Sequence, residues 1–272
     1  MTLYTFPNIL FSNFQKIILS NIFTVLFIFK GGTQLFLFFP SIRTILTLAA
    51  VIPAVVLLLH VMRKDRLEKE SPFFILSLLV WGVLSTFAAL ILEKIGSFIL
   101  SFFFQYKTVL YNVLFYYVVV AMSEEGSKYF LLRKRTWNSP EFNCQYDAVV
   151  YATAISMGFA LWENLIYVFR YGFTTAIVRA LTAVPGHASF GVIMGVWYGL
   201  ERRYDYWGNK PKRKISQILA FLLPVLMHGT YDFLCTSLYG WQGNLVFVAF
   251  ILLLFSLSWH MVNKASANDR YL

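Results

Sequence analysis

Long apolar runs alternate with short polar segments along most of this chain. A membrane-spanning helix needs about 20 predominantly apolar residues. Runs of about that length cover residues 44–62, 73–93, 109–132, 146–169, 216–236 and 243–262. A further apolar region, 176–200, is interrupted by Val-Pro-Gly-His at 184–187, which predicts a broken helix or a short re-entrant element followed by a span. The pattern predicts an all-α, polytopic transmembrane helical bundle.

Two weaker apolar segments extend this map. Residues 9–29 are mostly apolar but contain several polar residues, so they predict a weak first span or a helix lying at the membrane interface. Residues 97–104 add a short apolar piece before the next clear span. The chain therefore divides into a weakly hydrophobic N-terminal helix, 1–35, and a main domain, 36–272. The bundle is expected to have seven or eight membrane helices.

Composition supports a membrane protein and argues against a nucleic-acid partner. The chain has 272 residues, of which 58% are hydrophobic and 13% charged. Soluble domains are about 45–50% apolar and about 25% charged. The net charge of +10 comes from basic residues in short loops between apolar runs, so the lipid bilayer is the expected partner. The two cysteines give neither a disulfide framework nor a metal-binding spacing.

Basic residues are unevenly divided between alternate loops, which predicts orientation. One set of loops holds fifteen of them: Arg63, Lys64, Arg66, Lys69, Arg133, Lys134, Arg135, Arg202, Arg203, Lys210, Lys212, Arg213, Lys214, Lys264 and Arg270. The other set holds six: Lys30, Arg43, Lys94, Lys107, Arg170 and Arg179. Basic loops stay in the cytoplasm. The C-terminus is therefore predicted to be cytoplasmic.

Several ionisable residues lie inside the predicted spans, where a charge costs about 2.5–3.5 kcal/mol even on the insertion scale. They are Glu124, Glu125, Lys128, Glu163, His187, His228 and Asp232. Glu124 and Lys128 are four residues apart, as are His228 and Asp232, so each pair shares one helix face. Because clustered charges neutralise one another, we expect these faces to meet in a polar pocket inside the bundle.

Such a pocket permits more than one chemistry. Histidines and carboxylates can bind zinc and leave a position for water. The same residues can work without metal, with a glutamate as general base on water. Either arrangement hydrolyses an amide. The zinc-protease motif His-Glu-x-x-His is absent. A structural ion-pair network without catalysis is a further interpretation.

Four short motifs on successive apolar segments resemble the PrsW family of bacterial intramembrane proteases. They are E-E-x-x-K at 124–128, F-x-x-x-E at 159–163, a lone histidine at 187, and H-x-x-x-D at 228–232. The resemblance covers about residues 40–262 and marks 36–272 as a PrsW-like protease domain. The wider group also contains type II CAAX prenyl proteases and the Aph-1 subunit of gamma-secretase; Lys128 and Glu163 favour the PrsW branch. The loop at 64–72 departs from the family pattern, with Ser71 where proline is expected.

The resemblance implies an intramembrane endopeptidase in a bacterial cell membrane. Its substrate would be a single-span, membrane-tethered regulator such as an anti-sigma factor. Glu124 would be the base that activates water, with Glu125 next to it as the second choice, and Lys128 would hold the two carboxylates in register. The alternatives are a CAAX-type or leader-peptide-processing membrane protease and a non-catalytic membrane scaffold or transporter.

Roles for the remaining polar residues also follow from the resemblance. His187 and His228 would orient water, stabilise the oxyanion or bind a metal. Asp232 would fix the ring of His228, and Glu163 would be a ligand or a second acid. A zinc ion, if the enzyme uses one, would be held by Glu163, His187, His228 and Asp232. Metal-independent catalysis by the same residues is the other interpretation.

Overall fold

The computed structural model describes residues 23–30, 33–106 and 108–272. Two strands, β1 (Phe23–Lys30) and β2 (Thr33–Pro40), precede the helices. The helices are α1 (Ile42–Arg63), α2 (Pro72–Phe103), α3 (Val109–Val113), α4 (Met122–Thr136), α5 (Asp147–Tyr171), α6 (Phe173–Leu181), α7 (Ala183–Tyr206), α8 (Lys210–Ser237) and α9 (Gly240–Ala267). A π-helical segment, Leu114–Ala121, joins α3 to α4.

The N-terminal part of the described chain forms an antiparallel strand pair instead of a helix. Phe23 pairs with Pro40, and Lys30 with Thr33. The predicted helix at 9–29 is therefore wrong for 23–29, and its remainder lies outside the described residues. Both strands are rich in aromatic and β-branched residues and flank a Gly-Gly pair in the sequence, a combination that favours a β-hairpin over a helix.

The membrane bundle itself is confirmed, although the predicted number of spans is not. Six helical segments among the described residues are long and apolar enough to cross a bilayer: Ile42–Arg63, Pro72–Phe103, Asp147–Tyr171, Phe173–Tyr206, Lys210–Ser237 and Gly240–Ala267. The run from α3 through the π-helical segment to α4 is a further long helical stretch that carries charges. The apolar piece at 97–104 is not separate, because α2 continues to Phe103.

The region predicted to be broken is indeed interrupted, at a different residue from the one expected. The break lies at Thr182, whose φ of −125° and ψ of −71° are not helical. Pro185 and Gly186 belong to the first turn of α7, and the Gly186 N–H donates to the Thr182 carbonyl at 2.9 Å. Proline is tolerated in a first turn because its missing N–H would have no partner within the helix there.

α5 is the central helix and packs against α1, α2 and α7. Its N-terminal half is buried on all sides from Asp147 to Ala160. α2 and α5 approach so closely that a Cβ on Gly158 would overlap the Leu79 carbonyl oxygen, and one on Gly82 would overlap that of Ile155. Gly158, Gly191 and Gly195 are close-packing positions, because an added Cβ at each would meet atoms of a neighbouring helix too closely.

The substitution Gly158→Ala is expected to destabilise the bundle by about 1–3 kcal/mol, because the methyl group has to push α2 away from α5. Thermal unfolding of the purified protein in detergent measures the effect. Gly126→Ala is the matched control, since a Cβ there meets Phe221 at an ordinary 3.5 Å. Equal unfolding temperatures for the two variants would contradict this account of the helix contact.

Candidate active site

α4 supplies two glutamates and a lysine that form a buried ion-pair group. Lys128 lies one turn beyond both carboxylates, so its Nζ is 2.7 Å from Glu125 Oε1 and 3.5 Å from Glu124 Oε2. Lys128 and Glu125 are fully buried, and Glu124 is 7% exposed. One ammonium therefore neutralises part of the charge of two carboxylates in a region shielded from water.

His228, on α8, connects this group to a second helix. Its Nδ1 lies 2.8 Å from Glu125 Oε1, and since a carboxylate only accepts, the Nδ1–H donates. Its Nε2 faces Glu124 at 3.8 Å and Asp232 at 3.4 Å. The ring also stacks on Phe190 with centroids 4.9 Å apart. In this geometry Glu125 fixes the ring, and Asp232 lies on the Nε2 side.

His187, on α7, completes the connection. Its Nδ1 is 3.3 Å from Lys128 Nζ and must accept, because an ammonium has no lone pair to offer. The Nε2–H therefore donates to Glu163 Oε2 at 2.9 Å. An unbroken chain of contacts thus links all seven predicted residues across four helices: Glu124, Glu125, Lys128, Glu163, His187, His228 and Asp232. The side chains converge in the structure, as expected from the sequence.

Two charged residues of the site were not in the predicted set. Arg179, on α6, donates to Glu163 Oε2 at 2.9 Å and to Asn164 Oδ1 at 2.9 Å, although its position suggested a loop charge. Glu93, on α2, lines a cavity that lies beside these residues. Their positions in the sequence could have identified both residues as members of the site, because Arg179 lies within the apolar region 176–200 and Glu93 lies at the end of an apolar span.

A cavity of about 590 Å³ opens beside the polar group. Glu124, His228 and Asp232 line it, together with Glu163 and His187. The other wall contains apolar side chains that are also exposed on the outside of the bundle: Leu90 at 41%, Ile166 at 45% and Val178 at 54%. In a bilayer this exposed wall faces lipid, so the cavity adjoins the hydrocarbon.

The residues of the site fit a divalent metal. Glu124, Glu125, His187 and His228 each offer a ligand atom, and these atoms all lie within 4.8 Å of one another. Glu125 Oε2 is buried with no hydrogen-bond partner. Carboxylate and imidazole are ligands that zinc takes. Of the predicted metal set, His187 and His228 belong to this group, whereas Glu163 and Asp232 each contact one of the two histidines.

Comparison with known proteins decides the family. The family model described as PrsW family intramembrane metalloprotease matches residues 70–259. The chain belongs to the PrsW family. Protease PrsW of Oceanobacillus iheyensis is 30% identical over 220 residues, which are 81% of this chain and 95% of that protein. Protease PrsW of Geobacillus kaustophilus is 33% identical over 204 residues, 71% of this chain and 80% of that protein.

A third relative gives the same result. Protease PrsW of Bacillus subtilis is 31% identical over 201 residues, 71% of this chain and 84% of that protein. No solved structure matches the chain. Family membership confirms the prediction of a protease, and with the apolar spans it confirms a multi-pass membrane protein with bacterial relatives.

Arg179→Gln should lower cleavage activity about tenfold and destabilise the protein by about 2 kcal/mol, because Glu163 keeps its charge and loses a charged donor. The Arg179 side chain is only 13% exposed. Arg170→Gln is the control, since Arg170 is exposed and no carboxylate among the described residues lies within 4 Å of it. Initial cleavage rates and unfolding temperatures of both variants test the contact. Equal losses of rate and stability in Arg179→Gln and Arg170→Gln would contradict a specific role for the Arg179–Glu163 pair.

Proposed function

We propose that this PrsW family member is an endopeptidase that cleaves a single-span membrane protein, a membrane-tethered regulator such as an anti-sigma factor. The observation that carries the proposal is a carboxylate–imidazole pair, Glu124 and His228, facing a cavity whose other wall is exposed on the outside of the bundle. A hydrophobic substrate helix can approach that wall from the lipid without crossing water.

The depth of the site supports a substrate cut near one membrane surface. Glu163 lies sixteen residues beyond Asp147 on α5, or about 24 Å along the helix axis. The loop before Asp147 is among the basic ones, so we propose that this end and the C-terminus are cytoplasmic. Glu163, which orients His187, then lies in the outer half of the bilayer, and we propose that a segment flanking the substrate span reaches the site from that side.

Glu124 is the better general base of the two glutamates. It lines the cavity, whereas Glu125 is fully buried and its Oε1 already accepts from Lys128 and His228. Glu124 takes a proton from water, and the resulting hydroxide attacks the peptide carbonyl. The same carboxylic acid then protonates the leaving amine, so that it returns to its ionised form.

The other side chains prepare this step. Glu125 holds the His228 ring with Nε2 toward Glu124, where in its protonated form it donates to the developing oxyanion. Lys128 holds both carboxylates at fixed separation. Glu163 orients His187 and is itself held by Arg179.

With a bound metal, Glu125, His187 and the Nε2 of His228 would instead hold the divalent cation of a metalloprotease, which leaves Glu124 free as the base. His228 would then be a ligand and would not donate to the oxyanion. A bound cation of this kind supplies Lewis-acid polarisation of the carbonyl and a more acidic water.

The substrate class is tested with purified protein in lipid vesicles that also contain a tagged single-span anti-sigma factor. Mass spectrometry of the products should locate one cut near the outer end of the substrate span. A matched substrate with the same flanking sequence but no span should be cleaved poorly. Preferential cleavage of a prenylated C-terminal peptide would favour the CAAX-type alternative, and intact substrates throughout would contradict the proposed substrate class.

A further inference from the structure

A second cluster of carboxylates lies far from the active site. Asp65 and Glu70 belong to the loop between α1 and α2, and Asp147 is the first residue of α5. One carboxylate oxygen from each lies within 4.8 Å of the other two. All three are buried, with exposures of 4%, 8% and 0%. Because Asp147 is about 24 Å along α5 from Glu163, this cluster is separate from the catalytic residues.

The cluster contains buried oxygens without partners. Asp65 Oδ1, Glu70 Oε1 and Asp147 Oδ1 are buried and accept no hydrogen bond. Oxygens of two neighbours, Asn143 Oδ1 and Asp269 Oδ2, are in the same condition. Among the described residues, no lysine, arginine or histidine nitrogen lies within 4 Å of these carboxylates. Lys69 lies nearby, but its Nζ donates to the Asp65 backbone carbonyl and not to a carboxylate.

Backbone donors hold the carboxylates from one side only. Asp147 Oδ2 accepts the N–H groups of Asn143 at 3.0 Å and Cys144 at 2.6 Å, which leaves Oδ1 for the cluster. Asp269 Oδ1 likewise accepts the N–H of Tyr146 at 2.8 Å. Such hydrogen bonds favour the ionised carboxylate and fix its orientation. The free oxygens are thus positioned by the fold.

An isolated group of this kind is costly. Burying an ionised carboxylate without a partner is strongly unfavourable. Burial raises the pKa of Glu70 to about 7 and also raises the pKa of Asp65, where Lys69 offsets part of the effect and repulsion from Asp269 adds to it. A counter-ion held between the carboxylates removes this penalty.

We propose that Asp65, Glu70 and Asp147 bind a hard divalent cation, Mg²⁺ or Ca²⁺. The donors are oxygens only, which is the ligand set of these ions and differs from the histidine-containing active site. The cation joins the α1–α2 loop to the start of α5. It also reinforces the C-terminal tail, whose Leu272 N–H donates to the Asn143 carbonyl at 2.8 Å. The site is structural, and it does not depend on the proposed substrate.

The test uses the full chain in detergent, stripped with EDTA and then titrated with MgCl₂ or CaCl₂ at constant ionic strength and pH 7.5. At 100 times Kd the unfolding temperature should rise by about 5 °C. The larger response of the two salts identifies the preferred ion. Equilibrium dialysis with metal analysis should show one ion bound per chain.

Variants separate this site from the catalytic one. Glu70→Gln should abolish the rise in unfolding temperature, and Asp65→Asn serves the same purpose if the first variant fails to fold. His187→Ala, which alters the active site, and Asp205→Asn, which removes a distant carboxylate paired with Arg213, should retain the rise. Absence of any response in the unaltered chain, or an equal response in Glu70→Gln and Asp65→Asn, would overturn the proposal. If only His187→Ala lost the rise in unfolding temperature, the ion would be assigned to the active site, and the proposal would also be overturned.

Discussion

Replacement of Glu124 by glutamine should lower kcat/KM for a cleaved single-span substrate by about 10²- to 10⁴-fold. The amide keeps the size of the side chain but cannot take a proton from water. It also keeps an oxygen near Lys128, so the folded protein should accumulate normally. Initial rates in lipid vesicles, with the amount of inserted protein measured in parallel, give the result.

Glu93→Gln is the matched control for this experiment. Glu93 lines the same cavity, but none of its carboxylate oxygens lies within 4 Å of a basic side chain among the described residues. Its loss should change kcat/KM by less than about tenfold, as expected for a group outside the reacting set. A Glu124→Gln protein that retains a third of the original activity would exclude Glu124 as the base.

Lys128→Met should destabilise the bundle by about 3–5 kcal/mol and abolish cleavage. The substitution leaves Glu124 and Glu125 buried beside each other without the ammonium that lies 2.7 Å from one and 3.5 Å from the other. Removing one partner of a buried ion pair is costly because the remaining charge is uncompensated. Unfolding temperature and cleavage rate should therefore fall together.

A second substitution distinguishes charge from packing. Adding Glu125→Gln to Lys128→Met removes one of the two stranded charges, so the double variant should recover part of the lost stability. It should remain inactive, because His228 loses the carboxylate that fixes its ring. Equal stability of both proteins would show that the lysine acts through its bulk.

Local spacing made part of the site predictable from the sequence. Glu124 and Lys128 lie four residues apart on one helix, and so do His228 and Asp232, so their contacts follow from helix geometry alone. The placement of charges in apolar runs then indicated that the faces meet, since isolated charges are unstable in lipid. The pairing of Glu125 with His228 needed the three-dimensional arrangement, because it joins residues 103 positions apart.

The remaining features depend on contacts that spacing does not encode. Arg179 resembled a loop charge, but the turn at Gly172 after α5 leads into α6, whose Arg179 guanidinium lies 2.9 Å from Glu163. Asp65 and Asp147 resembled ordinary loop and helix-start carboxylates, because nothing local shows that they are buried together. The predicted helix at 9–29 is wrong at 23–29 because the apolar residues there follow one another without a clear period.

Because α2 is longer than a bilayer is thick, we expect the cleavage rate to depend on bilayer thickness. Its 32 residues extend about 48 Å, whereas the hydrocarbon of a bilayer is about 30 Å thick. Even a tilt of roughly 40° leaves about 37 Å to be covered. The exposed rings of Phe98, Phe102 and Phe103 therefore lie at or beyond the headgroup level. Because Glu93 lies on the same helix, we expect the depth of the cavity mouth, and the height at which a substrate span meets it, to change with bilayer thickness.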